Sequence, residues 1–228
     1  MRLPAATLLA LVTALAPFAA QPQVATQEHR VRIVTVASGL AHPWSLAFLP
    51  DGRMLVTERP GRLRVLAKDG SLDARPVEGL PRVDPQQQGG LLDVAVHPDF
   101  ARNGWIYWTY AQRDDAGLNG TELARGKLAG SPGSYRVEQA QVLFRMQPKS
   151  ASGLHFGSRL VFDRKGQLYM TLGDRGEMQR AQDLGDHRGK ILRLTDEGKP
   201  APANPFLDDS KALAEVFSYG HRNVQGAA

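Results

Sequence analysis

Residues 156–177, FGSRLVFDRKGQLYMTLGDRGE, have the pattern of an apolar strand, a tight turn and a second apolar strand that reaches a threonine. Two earlier segments share this layout: PWSLAFLPDGRMLVTERPGRLRVL at 43–66 and GLLDVAVHPDFARNGWIYWTYA at 90–111. Their threonines, Thr57, Thr109 and Thr171, are 52 and 62 residues apart. A repeat of this length, with several short strands per unit, is typical of β-propeller blades. The sequence therefore predicts an all-β protein, a β-propeller with about three blades present.

Other segments agree with this fold. GRLRVL at 61–66 and GKILRL at 189–194 fit the outer strands of two blades, and only residues 208–217 have a pattern that favours a short turn of helix. Propellers close with roughly four to eight blades. An array of about three blades would leave an uncovered blade face at each end. We therefore expect this chain to be the N-terminal part of a longer protein; the alternatives are a small three-blade assembly and closure through oligomers.

Composition excludes several classes of site. The 228 residues carry a net charge of +5, but the basic residues are scattered, and no segment alternates them with aromatic residues. A nucleic-acid partner is therefore not expected. The chain contains no cysteine, which excludes disulfides, thiolate metal sites and a cysteine nucleophile.

The first residues, MRLPAATLLALVTALAPFAA, have the layout of a secretory signal peptide, with cleavage after Ala20 or Ala25. The alternative is a retained membrane anchor, but the apolar run is short for a span, and Pro4 and Pro17 shorten it further as a helix. We assign 1–25 to a signal peptide and 26–228 to a partial propeller domain. This predicts a periplasmic protein with no membrane span after cleavage.

The hairpin within 156–177 also predicts a pair of polar side chains. If Asp163 lies opposite Gly166 across the turn, counting back along both strands places His155 opposite Asp174. A β-bulge would change this register by about one residue. We therefore expect His155 and Asp174 to emerge side by side at one end of the hairpin.

An imidazole next to a carboxylate is the arrangement of a general base, because the carboxylate fixes the ring tautomer and leaves the far nitrogen free to accept a proton. The structural alternative is a histidine held in a loop beside an aspartate that stabilises a turn. Spacing alone leaves both interpretations open.

Three further segments contain polar candidates. Gln88 precedes a double glycine at the mouth of a blade, and His221, Arg222 and Asn223 follow a strand-like run. Each segment has the alternative of an ordinary surface loop. GDHRGK, around His187, has no spaced ligand partners and is interpreted as a turn. Zinc-protease, serine-hydrolase, P-loop and EF-hand patterns are all missing from the sequence.

Six of these motifs occur together and in order: the segment 39–66, QGGLLDVAVHPDF, LHFGSRLVFD, GQLYMTLGDRGE followed by Gln179, GKILRL and YGHRN. In this combination, over about residues 30–226, the chain resembles the soluble aldose sugar dehydrogenases of the glucose/sorbosone dehydrogenase family, which use pyrroloquinoline quinone (PQQ). The resemblance implies a six-bladed propeller that binds PQQ and calcium and oxidises the anomeric hydroxyl of aldose sugars to lactones.

The resemblance also implies roles for individual residues. His155 matches the general base that takes the proton from the anomeric hydroxyl while hydride passes to the quinone, and Asp174 matches its orienting partner. Residues that match cofactor contacts are Gln88, Gln179, Arg222 and Asn223. The family's calcium ligands lie beyond the HRN motif, past residue 228, so no metal ligand is assigned here. The resemblance also implies an electron acceptor, whose identity is unknown, and an isolated fragment that is inactive.

Two other functions are compatible with a propeller. A lactonase would use calcium and water without a redox cofactor, but its site would be acidic rather than a histidine flanked by glycines. A non-catalytic periplasmic propeller that binds sugars would have an intact scaffold in which His155 is dispensable.

Overall fold

The computed structural model describes residues 23–228, so nearly all of the proposed signal peptide lies outside the described residues. The chain divides into two compact units, which end and begin at Val36 and Ala37. In the first unit, β1 (Gln23–Ala25) pairs antiparallel with β2 (Arg30–Arg32). Among the described residues, no helix is long and apolar enough to cross a membrane.

The second unit contains three antiparallel sheets in which strands follow one another in chain order. The first sheet has three strands and the other two have four. Their bounds are β3 (Pro43–Phe48), β4 (Met54–Glu58) and β5 (Arg62–Leu66); β6 (Leu91–Val96), β7 (Trp105–Arg113), β8 (Asn119–Ala129) and β9 (Arg136–Arg145); and β10 (Gly157–Phe162), β11 (Leu168–Leu172), β12 (Ile191–Leu194) and β13 (Val216–Ser218). The three sheets confirm the predicted propeller blades.

Helix is scarce, as expected for this fold. One short helix, α1 (Phe100–Asn103), lies in the β6–β7 connection, and a 3-10 helix spans Met178–Gln182. The prediction of a helical turn within 208–217 was wrong, because this segment forms turns that lead into β13. The Leu213 N–H donates to the Leu184 carbonyl at 2.9 Å, so tertiary contacts satisfy backbone that a helix would have paired internally.

The core lies between the blades. Trp108 and Tyr107, neighbours on β7, point to opposite faces of the middle sheet because side chains alternate along a strand. Trp108 packs with Leu55 and Leu63 of the first blade, whereas Tyr107 packs with residues of the third blade such as Met170. The middle blade is therefore apolar on both faces, which explains the continuous apolar runs in its sequence.

A β-bulge recurs near the beginning of the first strand of every blade, where the register shifts between Pro43 and Ser45, between Leu91 and Val94, and between Gly157 and Leu160. The three repeated threonines bind these bulges. Thr109 Oγ1 accepts from the Asp93 N–H of its own blade and donates to the Ser158 carbonyl of the next, both at 2.9 Å.

Thr57 and Thr171 make the equivalent pair of bonds in the other blades. Thr171 donates to the Val224 carbonyl at 3.0 Å. Val224 thus occupies the position that Leu92 and Ser158 occupy in the second and third blades. Residues 222–225 consequently lie against the third blade where the first strand of a further blade would begin.

The hairpin turn differs in detail from the prediction. Asp163 pairs with Gln167 rather than Gly166, and the loop contains three residues, 164–166. The bulge near Ser158 then shifts the register back by one, so that Gly157 lies opposite Leu172. The two differences cancel, and the strand ends that carry His155 and Asp174 meet as predicted.

Candidate active site

The site is built around the ends of β10 and β11. His155 Nδ1 lies 2.6 Å from Asp174 Oδ1, which also accepts from the Gly176 N–H at 2.8 Å. The Asp174 side chain is 3% exposed and the His155 side chain 12%. Because an ionised carboxylate can only accept, Nδ1 carries the ring proton and Nε2 is left with a free lone pair.

Glycine makes this close approach sterically feasible. A Cβ at Gly173 would lie 1.9 Å from the His155 carbonyl oxygen, so a side chain there would separate the two strand ends. The backbone of His155 has a left-handed φ of 49°. Such a conformation is costly for a residue other than glycine and persists only where its surroundings hold it.

Gln88 contributes to this restraint. Its Oε1 accepts from the His155 N–H at 2.8 Å, and its own N–H donates to the Gly153 carbonyl at 3.1 Å. The connection between β5 of the first blade and β6 of the second therefore fixes the histidine that precedes the third blade.

Arg222 and Asn223 contact the same strand ends from the other side. The Arg222 carbonyl accepts from the Asp174 N–H at 2.8 Å, and Asn223 Oδ1 accepts from the Gly157 N–H at 3.0 Å. The Arg222 side chain is exposed, so only its backbone takes part in these contacts. Gln179 is also exposed, on the 3-10 helix, and does not line the neighbouring cleft, whereas Gln88 and Asn223 do.

A cleft of about 280 Å³ is lined by Phe156 and Gly157, which follow His155 in the chain, and by Gln88, which binds the His155 N–H. Its apolar surface comes from Trp44, Leu92 and Phe156, and its polar surface from Gly157 and four side chains: Arg59, Gln88, Asn223 and Gln225. Aromatic faces beside a cation and amides would suit a planar, anionic ring system.

Arg59, which was not among the predicted site residues, shapes this cleft. Its guanidinium donates to the carbonyls of Gly89 (3.0 Å) and Gln87, and so holds the loop that presents Gln88. The position of Arg59 in TERPGR gave no motif to identify it, because its partners are backbone carbonyls 28 to 30 residues away.

Arg159 was also overlooked. It forms an ion pair with buried Asp93 at 2.9 Å, and its guanidinium carbon lies 4.7 Å from the centre of the Trp44 ring. Burial raises the pKa of the Asp93 carboxyl, against the opposing effect of hydrogen bonds from Ser45 and Leu160. This cluster joins the first strands of all three described blades below the cleft.

A second histidine–carboxylate pair lies away from the cleft. His187 Nε2 donates to Glu215 at 2.7 Å, while Nδ1 accepts from the Gln147 N–H at 2.8 Å. Sequence analysis correctly placed His187 in a turn but did not identify Glu215 as its partner. With both ring nitrogens bonded, this imidazole cannot accept a proton without losing a hydrogen bond, so it is structural.

No group of three or more histidine or acidic side chains within residues 23–228 is arranged to hold a metal ion. The described residues therefore do not fit a calcium site.

Known proteins share the sequence and the fold of this chain. The Glucose / Sorbosone dehydrogenase family pattern matches residues 40–228. Aldose sugar dehydrogenase YliI of Escherichia coli (strain K12) is 45% identical over 199 residues, which are 87% of this chain and 53% of that protein.

Two solved structures share the fold. The apo-form of the soluble aldose sugar dehydrogenase from E. coli has a TM-score of 0.76 at 44% identity and covers 81% of this chain and 52% of its own. The PQQ-bound form of aldose sugar dehydrogenase from Streptomyces coelicolor has a TM-score of 0.71 at 33% identity, and the match covers 84% of this chain and 54% of that structure's chain.

The chain thus spans about half the length of the relatives that it matches. The family match covers most of the chain, and the three blades carry the family's motifs in order. The protein belongs to the glucose/sorbosone dehydrogenase family.

Proposed function

We propose that this chain provides the base of a PQQ-dependent dehydrogenase that oxidises the anomeric hydroxyl of aldose sugars to lactones. The observation that carries the proposal is the 2.6 Å contact between His155 Nδ1 and Asp174 Oδ1, directly before Phe156 and Gly157, which line the cleft. The names of the relatives support the substrate class.

His155 Nε2 is the proton acceptor in this proposal. When the anomeric hydroxyl donates its proton to Nε2, the ring becomes an imidazolium, and the nearby Asp174 carboxylate stabilises that charge. The hydrogen bond from the His155 N–H to Gln88 Oε1 and the close approach of Gly173 to the His155 carbonyl hold the histidine in place. Little reorganisation is therefore needed during proton transfer.

The cleft fits the cofactor seen in the S. coelicolor relative. PQQ is planar and carries carboxylates, and the residues that would hold it are Arg59, Asn223 and Gln225, beside the Trp44 and Phe156 rings. Arg222 and Gln179, which resemblance assigns to the cofactor, have exposed side chains that are free to turn toward a bound group. When bound, PQQ would be the oxidant, accepting the hydride from the anomeric carbon.

We further propose a periplasmic location, on the basis of the leader at 1–25. The domain would then extend over 26–228. Release of the protein by osmotic shock of cells, and an N-terminus at Gln21 or Thr26 in the released protein, would test both statements.

The function is tested with protein of full family length that has this chain as its N-terminal part. PQQ, calcium and an electron-accepting dye are added, and dye reduction is followed with several aldoses. The matched variants are His155→Ala and His187→Ala, because both histidines contact a carboxylate but only His155 is hydrogen-bonded to Gln88, which lines the cleft. We expect His155→Ala to lower kcat by about 10²–10⁴-fold and His187→Ala to lower it by less than about tenfold.

Two outcomes would contradict the proposal. Tight PQQ binding without aldose oxidation would indicate a sugar-binding propeller. Hydrolysis of lactones in calcium alone, without PQQ, would indicate a lactonase.

A further inference from the structure

Arg175 follows Asp174 directly, and among residues 23–228 its side chain is the largest charged group that is almost fully buried, at 1% exposure. Burial of this cation lowers the pKa of Arg175 to about 10, with a further contribution from the neighbouring Arg188. A buried arginine is costly unless its N–H groups are bonded, so its partners indicate its role.

Those partners surround His155. One terminal nitrogen of Arg175 donates to the Leu154 carbonyl, and the other donates to the Ser152 carbonyl and to Asn119 Oδ1. The guanidinium carbon also lies 3.5 Å from the centre of the Phe156 ring. The residues on both sides of His155 are therefore fixed by one planar group.

The second blade anchors this group. Asn119 begins β8, and its backbone exchanges two hydrogen bonds with Ser150, at 2.8 and 2.9 Å. Arg175 thus ties the loop before His155 to a regular strand of the adjacent blade. Without this tie, the left-handed backbone of His155 would be held mainly by its N–H bond to Gln88.

We propose that Arg175 is a positioning residue for His155: Asp174 orients the imidazole ring, and Arg175 fixes the backbone that carries it. The catalytic part of this inference rests on the proposed function, whereas the structural part does not. Arg175 does not itself line the cleft, although it stacks on Phe156, which does, and it makes no hydrogen bond to the His155 ring. In this proposal it acts on His155 through the loop.

The planar fork is the property that matters. Lysine keeps the charge but cannot bond three separate acceptors in one plane while stacking on an aromatic ring. We therefore choose Arg175→Lys as the test variant.

Arg193→Lys is the matched control. Arg193 also bonds an asparagine Oδ1 (Asn204, 2.7 Å) and a loop carbonyl (Ala203), and it lies 4.8 Å from the Phe217 ring centre. It makes these contacts on β12, away from the cleft. A general loss of stability would therefore appear in both variants, and a loss of His155 positioning only in Arg175→Lys.

The first measurement is ¹⁵N and ¹H NMR of histidine-labelled protein of full family length. The Nδ1 proton of His155, held by Asp174, should give a downfield signal that exchanges slowly with water. We expect Arg175→Lys to speed this exchange at least about tenfold and Arg193→Lys to leave it unchanged. The second measurement is kcat in the dye assay, which should fall about 100-fold in Arg175→Lys because the base is displaced.

Asn119→Ala is a second variant for the case in which Arg175→Lys does not fold. It removes one anchor of the guanidinium and should give an intermediate increase in exchange. An Nδ1 proton that exchanges at the parent rate in Arg175→Lys, or in Asn119→Ala if the lysine variant is unfolded, would overturn the inference. If His155→Ala keeps full activity while Arg175→Lys still loosens the ring, the proposed function fails and the positioning role stands.

Discussion

Replacing Asp174 by asparagine should remove a charge from the site while keeping its geometry. Asp174 Oδ1 accepts from both His155 Nδ1 and the Gly176 N–H, and an asparagine Oδ1 can accept the same two bonds. The amide nitrogen would replace Oδ2, which accepts no hydrogen bond from residues 23–228. The ring therefore stays in place, and the variant reports on the carboxylate charge alone.

The magnitude follows from the contact. With the imidazolium and carboxylate charge centres about 4 Å apart in a largely buried pair, the interaction is about 4 kcal/mol at an effective dielectric constant of about 20. The amide dipole recovers about 1 kcal/mol of this. The remaining loss of about 3 kcal/mol corresponds to a decrease in kcat of roughly 10²-fold. KM should change little, because Asp174 is almost fully buried and does not reach the cleft.

The assay is a double-mutant cycle on kcat with Asp174→Asn, His155→Ala and the combined variant. Since Asp174 is proposed to act only through His155, the combined variant should be no slower than His155→Ala alone. Additive losses would show that the carboxylate acts on substrate or cofactor directly and would refute the reasoning.

Three further predictions follow from individual contacts. Gln88→Ala removes the acceptor for the His155 N–H and should lower kcat about tenfold. Gln86→Ala, in the same exposed loop, should leave kcat unchanged. Equal decreases in kcat would contradict a specific role for Gln88. The hydrogen bond from His187 lowers the pKa of Glu215, so this carboxylate contributes stability above about pH 4.5 that is lost as pH falls. The difference in Tm between the parent and Glu215→Gln should therefore disappear in acid. A difference that persists would contradict this linkage. Thr109→Val leaves the bulge without its hydroxyl partner and should lower the free energy of unfolding in urea by about 1–3 kcal/mol. Thr109→Ser keeps the hydroxyl and should lower it much less. Equal decreases in the two variants would assign the effect to packing.

Sequence reasoning predicted the blades because each repeat is local. The alternation of apolar residues and the glycine-closed turns identify a hairpin without knowledge of its neighbours. The length of the 163–167 turn was predicted incorrectly, since Gly166 suits both a two- and a three-residue loop. The bulge near Ser158 was not visible either, because Ser158 adopts a φ of 90° for which its sequence gives no signal.

The site was predictable only where side chains pair with side chains. His155 and Asp174 could be placed from strand register, since both are at the ends of one hairpin. Arg59 and Arg175 donate to backbone carbonyls of loops. Because every residue has a backbone carbonyl, the sequence does not show which one an arginine will bind. A polar side chain that organises a loop is therefore hidden until the path of the loop is known, which is why both arginines were missed.

The repeated threonines explain how the site is assembled across blades. In the first two blades, Thr57 and Thr109 bond the bulge of the following blade. Thr171 makes the same bond to Val224, and the neighbouring Asn223 thereby reaches the Gly157 N–H beside the histidine. A contact that repeats for structural reasons thus brings the HRN segment to His155. The site therefore depends on the seam between the third blade and residues 222–225, and substitutions that loosen Thr171 should displace Asn223 before they unfold the blade.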